Sequence, residues 1–230
     1  GYNFVLDVPE ADESACSPGS HLVGHGTYVA GLIALTDPTA RILPVTVLGC
    51  DGVGNAFTVA CGIYHAIDQG AGVINMSFAT TFQSDAVEAA LTDAAAAGVT
   101  CVASVSNAGR DTGDTPVFPA EYEGVLGVGA VQHDAGAWTK APFSDWGRSL
   151  QIAAPGVGIR SMWYDGSQFG YADGSGTSYA AAWVSGVCSR LRAKYGVRRP
   201  EWTRDRLCAT SHEVDVGGRF GMGCGHRNDG

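Results

Sequence analysis

From residue 25 to residue 104 the chain alternates between stretches with helical apolar spacing and short branched apolar runs, and few architectures satisfy that alternation. Residues 25–35 carry apolar side chains at 29, 32 and 33, the pattern of a helix with His25 at its start. Residues 41–48 form a branched apolar run broken by one proline, as in a buried parallel strand. A turn over 49–54 leads to a helix from about 58 to 69, a strand at 73–77, an alanine-rich helix over 85–97 and a strand over 99–104. Strand and helix exchanging at this spacing predict an α/β domain with a mainly parallel sheet and right-handed crossovers.

Outside this region the pattern is less regular. Residues 1–8 read as a strand and 9–24 as a polar loop. After Asn107 come a long loop (108–122), strands at 125–131 and 150–153, a hairpin arm over 161–172, a small-residue helix over 177–194 and an amphipathic helix over 200–209. The glycine-rich tail 217–230, with His226 and Arg227, reads as loose. With no repeat or linker, the 230 residues are expected to form one domain.

Composition narrows the partners. A net charge of −9 argues against nucleic acid or an anionic membrane. No apolar run approaches the roughly 18 residues of a membrane span, and the first residues lack the basic and apolar parts of a signal peptide. The chain therefore reads as soluble, with any secretion signal removed or never present. Seven cysteines, none in a C-x-x-C pair, favour an extracellular protein with two or three disulfides and at least one free thiol over a zinc site. Cys50 with Cys61 and Cys208 with Cys224 are the expected pairs, and Cys101 reads as a buried small hydrophobe in a strand.

The chemistry centres on Ser178. The turn Gly174-Ser-Gly176 feeds directly into a helix, so the Ser178 hydroxyl falls in the first turn, where unpaired N–H groups and the helix dipole favour developing negative charge. Alone, this position reads as a helix cap. A serine nucleophile needs a base and a group that orients the base, and loops at strand carboxyl ends are where these converge.

Gly24-His25-Gly26-Thr27 and Gly176-Thr177-Ser178-Tyr-Ala180 resemble the histidine and nucleophile motifs of the subtilisin-like serine proteases. Val47-Leu-Gly-Cys-Asp-Gly-Val-Gly54 and Val73-Ile-Asn-Met-Ser-Phe78 are similar to the family's two substrate-flanking segments. Ser104-Val-Ser-Asn107 is similar to its oxyanion segment. Phe118-Pro-Ala120, Phe143-Ser-Asp-Trp-Gly147 and Ala154-Pro-Gly156 follow in family order. The resemblance covers nearly the whole chain. It implies the three-layer subtilisin-like α/β fold, with a mainly parallel central sheet and helices on both faces, and a serine endopeptidase with Ser178 as nucleophile and His25 as general base. Asn107 would join the Ser178 N–H in an oxyanion hole. Gly52, Val53 and Gly54 on one side, and Ser77, Phe78 and Ala79 on the other, would be extended edges that pair with peptide substrate, with Ser104 and Ser106 also lining the site. The resemblance also implies peptide or protein substrates, an inhibitory propeptide as a further partner, a monomer, and secretion. No cofactor is required and no metal ligand is assigned. Calcium is common in the family, and the loop from Asp111 to Asp114 is where a structural ion would be sought, although its spacing matches no calcium motif.

Several positions depart from the family pattern. The triad aspartate normally ends the first sheet strand before Thr or Ser and then Gly. Asp7 is followed by Val8-Pro9 and lies too close to His25 for the further strand the family fits between them. Gly1-Tyr-Asn-Phe-Val5 resembles that further strand better, which places the aspartate strand before residue 1. Asp12 is a poorer candidate. Ser106 and Ala79 stand where the family usually has glycine, and Ala182 where it has proline. The first two add side chains to the cleft, predicting a narrow or displaced S1 pocket. The alternative to a peptidase is a catalytically impaired subtilase-like binding module without the triad aspartate. A dinucleotide site at residues 24–31 is disfavoured because the segment follows a polar loop and its glycine spacing is off. An α/β-hydrolase would need its acid and histidine after Ser178, where only Asp205, Asp215, His212 and His226 remain.

Overall fold

The computed structural model describes residues 1–11, 13, 16, 17, 19, 20, 22–196, 199–212 and 214. In chain order the elements are β1 (Tyr2–Asn3), α1 (His25–Thr36), β2 (Val45–Thr46), α2 (Ala56–Asp68), β3 (Val73–Met76), α3 (Asp85–Ala96), β4 (Thr100–Ser104) and β5 (Val125–Asp134). They continue as β6 (Ala137–Lys140), β7 (Ile152–Pro155), β8 (Ile159–Tyr164), β9 (Phe169–Gly174), α4 (Thr177–Tyr195) and α5 (Pro200–Thr210).

The central sheet is mainly parallel. β3, β4, β5 and β7 run parallel in that spatial order, and β6 turns back antiparallel on β5. Helix starts are fixed locally. Asn55 Oδ1 accepts the Thr58 N–H at the head of α2, and Ser84 caps α3 with Asp85 and Glu88 in its first turn, facing the positive end of the dipole. The strands alternate faces. Cys101, Ala103 and Val105 pack with Val59, Ile63, Ala90 and Leu91 of α2 and α3, while Val102, Leu126 and Val128 pack with Ala180, Ala181 and Val184 of α4. The result is three layers, with α2 and α3 on one face, α4 on the other, and α1 lying on α4 and β8. Among the described residues no helix is long and apolar enough to cross a membrane.

Four details differ from the sequence expectations. The expected strand over 1–8 contracts to β1, because Asn3 Oδ1 accepts the N–H groups of Val5 and Leu6 and folds the chain back so that Val8 bridges to Asn3. The apolar run over 41–48 is strand only at β2, which pairs with β1 and not with β3, so the two are separate sheets. The β5–β6 hairpin was not expected; Ala135 and Gly136 turn it with φ of 48° and 86°, the first at a residue type that marks no turn and the second at a glycine that reaches that φ freely. The pairing of Cys50 with Cys61 is incorrect. Cys50 is bonded to Cys16, which takes up its only sulfur, and Cys61, on α2, is left free. Cys101 and Cys188 are free and buried, and burial pushes each thiol up to about 12. Cys208 is in a disulfide, while Cys224, the partner expected for it, and the tail 217–230 lie outside the described residues.

Candidate active site

Ser178 is the second residue of α4, half-buried, at the carboxyl end of β3. Two reciprocal bonds tie it there. Its Oγ donates to the Ser77 carbonyl at 3.2 Å, and Ser77 Oγ donates to the Ser178 carbonyl at 2.9 Å. Asn75 Nδ2 donates to Ser77 Oγ at 2.9 Å, and Asn75 Oδ1 accepts from Ser185 Oγ at 2.8 Å, so β3 and α4 are stitched together over two helical turns.

Asn107 reaches the same point from the loop after β4. Its Oδ1 accepts both the backbone N–H of Thr177 at 2.8 Å and the Thr177 hydroxyl at 2.9 Å. The amide orientation follows from these donors, since only the oxygen can accept them. Its Nδ2 donates to none of the described residues, and Asn107 itself is exposed. Asn107 is thus tied to Thr177, the residue before Ser178, and the N–H of Ser178 lies in a first helical turn whose N-cap residue gives no side-chain hydrogen bond.

His25 opens α1, its N–H bonded to the Leu22 carbonyl at 3.0 Å. Its ring lies 6.2 Å from that of Tyr179, the residue after Ser178, and Tyr179 stacks on Tyr28 at 4.2 Å. This pairing of α1 with the first turn of α4 holds the imidazole near the residue that follows Ser178. His25 and Ser178 are not hydrogen-bonded to each other here, the hydroxyl being turned to Ser77. Burial lowers the His25 pKa, and the negative charge of Glu13 opposes that fall.

Glu13 was not singled out in the sequence, since a polar loop with no periodicity marks no position. Its Oε1 accepts the Thr27 N–H at 2.8 Å and the Thr27 hydroxyl at 3.3 Å, and its Oε2 accepts the Gly24 N–H, so the carboxylate caps α1 around His25 without bonding to the ring. Asp7 is elsewhere: it accepts the Tyr2 hydroxyl at 2.7 Å on the surface, and no hydrogen bond or ion pair joins it to His25. Asp12 lies outside the described residues. Among the described residues no carboxylate is within hydrogen-bond reach of the His25 ring.

Of the other expected site residues, Ser77 alone has a hydrogen bond to Ser178 among the described residues. Gly52, Val53 and Gly54 form the tip of a tight turn. Val53 gives its carbonyl to the Gly49 N–H and its N–H to Asp51 Oδ1, so the turn is closed on itself with the Val53 side chain exposed. Ser77, Phe78 and Ala79 leave β3 toward Thr80, which pairs with Phe118; Phe78 packs inward, and neither Phe78 nor Ala79 makes a backbone hydrogen bond among the described residues. Ser104 is buried at the end of β4. Ser106 adopts φ 82°, in the left-handed region that favours glycine. Among the described residues no three His, Cys, Asp or Glu side chains cluster as a metal site requires, and Asp111 Oδ1 accepts the Gly113 N–H.

The sequence model of the Subtilase family matches residues 7–224. The thermostable alkaline protease of Halalkalibacterium halodurans is 34% identical over 212 residues, covering 88% of this chain and 56% of that protein. Subtilisin DY of Bacillus licheniformis is 33% identical over 210 residues, covering 87% of this chain and 74% of that protein. The chain thus spans little more than half the length of the first of these relatives. Among solved structures, a cold-adapted subtilisin-like serine proteinase superposes with a TM-score of 0.81 at 30% identity, over 94% of this chain and 76% of the other. The match along nearly the whole sequence, together with the shared fold, places this chain in the subtilase family.

Proposed function

We propose that the chain is the catalytic domain of a secreted serine endopeptidase. Ser178 Oγ turns from the Ser77 carbonyl toward His25, gives up its proton to the imidazole and attacks a peptide carbonyl. The oxyanion accepts hydrogen bonds from Asn107 Nδ2 and the Ser178 N–H, and His25 returns the proton to the leaving amine. The lowered pKa of His25 favours the neutral base this step needs near pH 7. A peptide strand would lie along Ser77, Phe78 and Ala79, the last two of which make no backbone hydrogen bond among the described residues, opposite the turn at Gly52, Val53 and Gly54. No metal or organic cofactor takes part in these steps.

The observation that carries this reading is the clamp on Asn107. Thr177 donates twice to Oδ1, so the amide cannot flip without losing two bonds, which supports the nitrogen as the donor offered to an oxyanion beside Ser178. Removing one such donor from a subtilisin costs about 10²–10³ in turnover, the scale expected for Asn107→Ala.

A second reading rests on the absence of a carboxylate bonded to His25 among the described residues. In it the chain keeps the fold and binds peptide, with turnover lower by on the order of 10⁴. Labelling with a serine-directed fluorophosphonate separates the two. The peptidase reading expects Ser178 to be modified in the folded protein and Ser178→Ala to stay unlabelled. A folded wild type that takes no label while still binding peptide belongs to the second reading.

A further inference from the structure

Asp145 is completely buried yet belongs to neither the nucleophile nor the base. Its Oδ1 accepts the N–H groups of Ala108 and Arg110, each at 2.9 Å, the first and third residues after Asn107. Among the described residues its Oδ2 has no hydrogen-bond partner, and the Arg110 guanidinium pairs with it at 3.8 Å. A buried carboxylate with one oxygen unpaired is costly to keep unless its charge does something a neutral residue would not.

The backbone around it shows what is being held. The loop carrying Asn107 is joined to the segment 143–146 rung by rung. Asp145 N–H donates to the Ser106 carbonyl at 3.3 Å, Gly109 N–H to the Phe143 carbonyl at 2.8 Å, and Trp146 N–H to the Arg110 carbonyl at 3.0 Å. At the start of the same loop Ser106 sits at φ 82°, where a side chain is disfavoured, so the loop has a standing tendency to relax. Lys140 is the other charge facing Asp145, its Nζ donating to the carbonyls of Ala141 and Ser144 at 3.1 and 3.0 Å.

We infer that Asp145 is a positioning residue for the oxyanion site, its buried carboxylate latching residues 108–110 so that the strained turn at Ser106 keeps Asn107 aimed at the Ser178 hydroxyl. Thr177 fixes the Asn107 side chain and Asp145 fixes its backbone. The inference rests on the peptidase reading for its catalytic consequence, while the latch itself is a property of the fold.

The test is kinetic, on the full chain, with a chromogenic peptide and with the fluorophosphonate rate as readouts. Asp145→Ala is expected to lower kcat by about 10- to 100-fold, bounded by the loss of the asparagine donor itself, with KM changed by no more than roughly twofold. Asp145→Asn keeps an acceptor for both N–H groups but turns a neutral amide to Arg110, and is expected to lose less. In an Asn107→Ala background Asp145→Ala should cost nothing further in kcat, because it acts through that side chain. Ser106→Gly should recover part of the Asp145→Ala loss, since glycine reaches the same φ without strain. Losses that multiply on the Asn107→Ala background, or no rescue by Ser106→Gly, overturn the inference. If Asp145→Ala does not fold, Asp145→Asn carries the test in the same cycle. A wild type without turnover defeats the peptidase reading and leaves the latch to be judged by amide exchange at Ala108 and Arg110 and by the Asn107 side-chain NMR signals. Unchanged exchange and signals in Asp145→Asn overturn it.

Discussion

Burial and Glu13 pull the His25 proton in opposite directions, and burial is the larger effect. Because the folded pKa lies below the ordinary value of about 6.5, the unfolded chain takes up the proton first as pH falls. The stability contributed by neutral His25 is therefore fully present above that value and is lost as pH drops from it toward the lowered folded pKa. Glu13→Gln removes the opposing charge but keeps an acceptor for the Thr27 N–H. It should lower the His25 pKa further, moving the acid limb of kcat/KM and the His25 NMR titration to lower pH. An unmoved or raised pKa would mean that Glu13 acts on α1 alone, as a cap whose charge is not felt at the ring.

His25 and Ser178 open two helices that pack on each other, α1 and α4, and the close approach of those helices depends on a glycine. α1 lies on α4, and a Cβ on Gly186 would come within 2.4 Å of the Thr36 Cβ, a branched side chain with little room to give. Gly186→Ala should push the helices apart at a cost of about 1–3 kcal/mol, or roughly 2–4 °C in Tm for each kcal/mol at this size. Since α1 carries His25 and α4 carries Ser178, turnover should fall along with Tm. Loss of stability with full activity would show that the cleft is set elsewhere. At this scale the sequence was informative where periodicity is strong. The spans of α1, α3 and α4 follow from residue spacing to within one residue at each end, and Ser178, His25 and Asn107 stand out through the motifs around them. Glu13 and Asp145 do not, because both act through backbone N–H groups brought close only by the fold. Nothing in Phe143-Ser-Asp-Trp-Gly147 announces that its aspartate is buried against residues 108 and 110. The same limit applies to cysteine pairing: Cys16 and Cys50 meet because two loops meet, across a separation of 34 residues.

That disulfide and the divided sheet are features of the whole molecule, and they concern the same region. Cys16–Cys50 ties the loop that supplies Glu13 to the turn at Gly52, Val53 and Gly54. Closing a loop of 34 residues is worth about 3–4 kcal/mol on the chain-entropy account, so Cys16→Ser should be destabilised by that order in denaturant unfolding. Beneath this staple, β2 pairs only with β1 and β3 only with β4, although α2 connects β2 directly to β3. A strand–helix–strand crossover ordinarily returns to the same sheet, so each of these strands carries an edge whose backbone groups face no partner strand among the described residues. β4, by contrast, is paired on both sides and buried along its whole length. Amide exchange should expose this difference. The amides of β4 should exchange only through global unfolding, whereas those of β2 and β3 that point away from β1 and β4 should exchange faster by orders of magnitude, through local opening at the seam. Uniform protection across β2, β3 and β4 would mean that the two sheets unfold as one unit and that the seam is not a weak point of the fold.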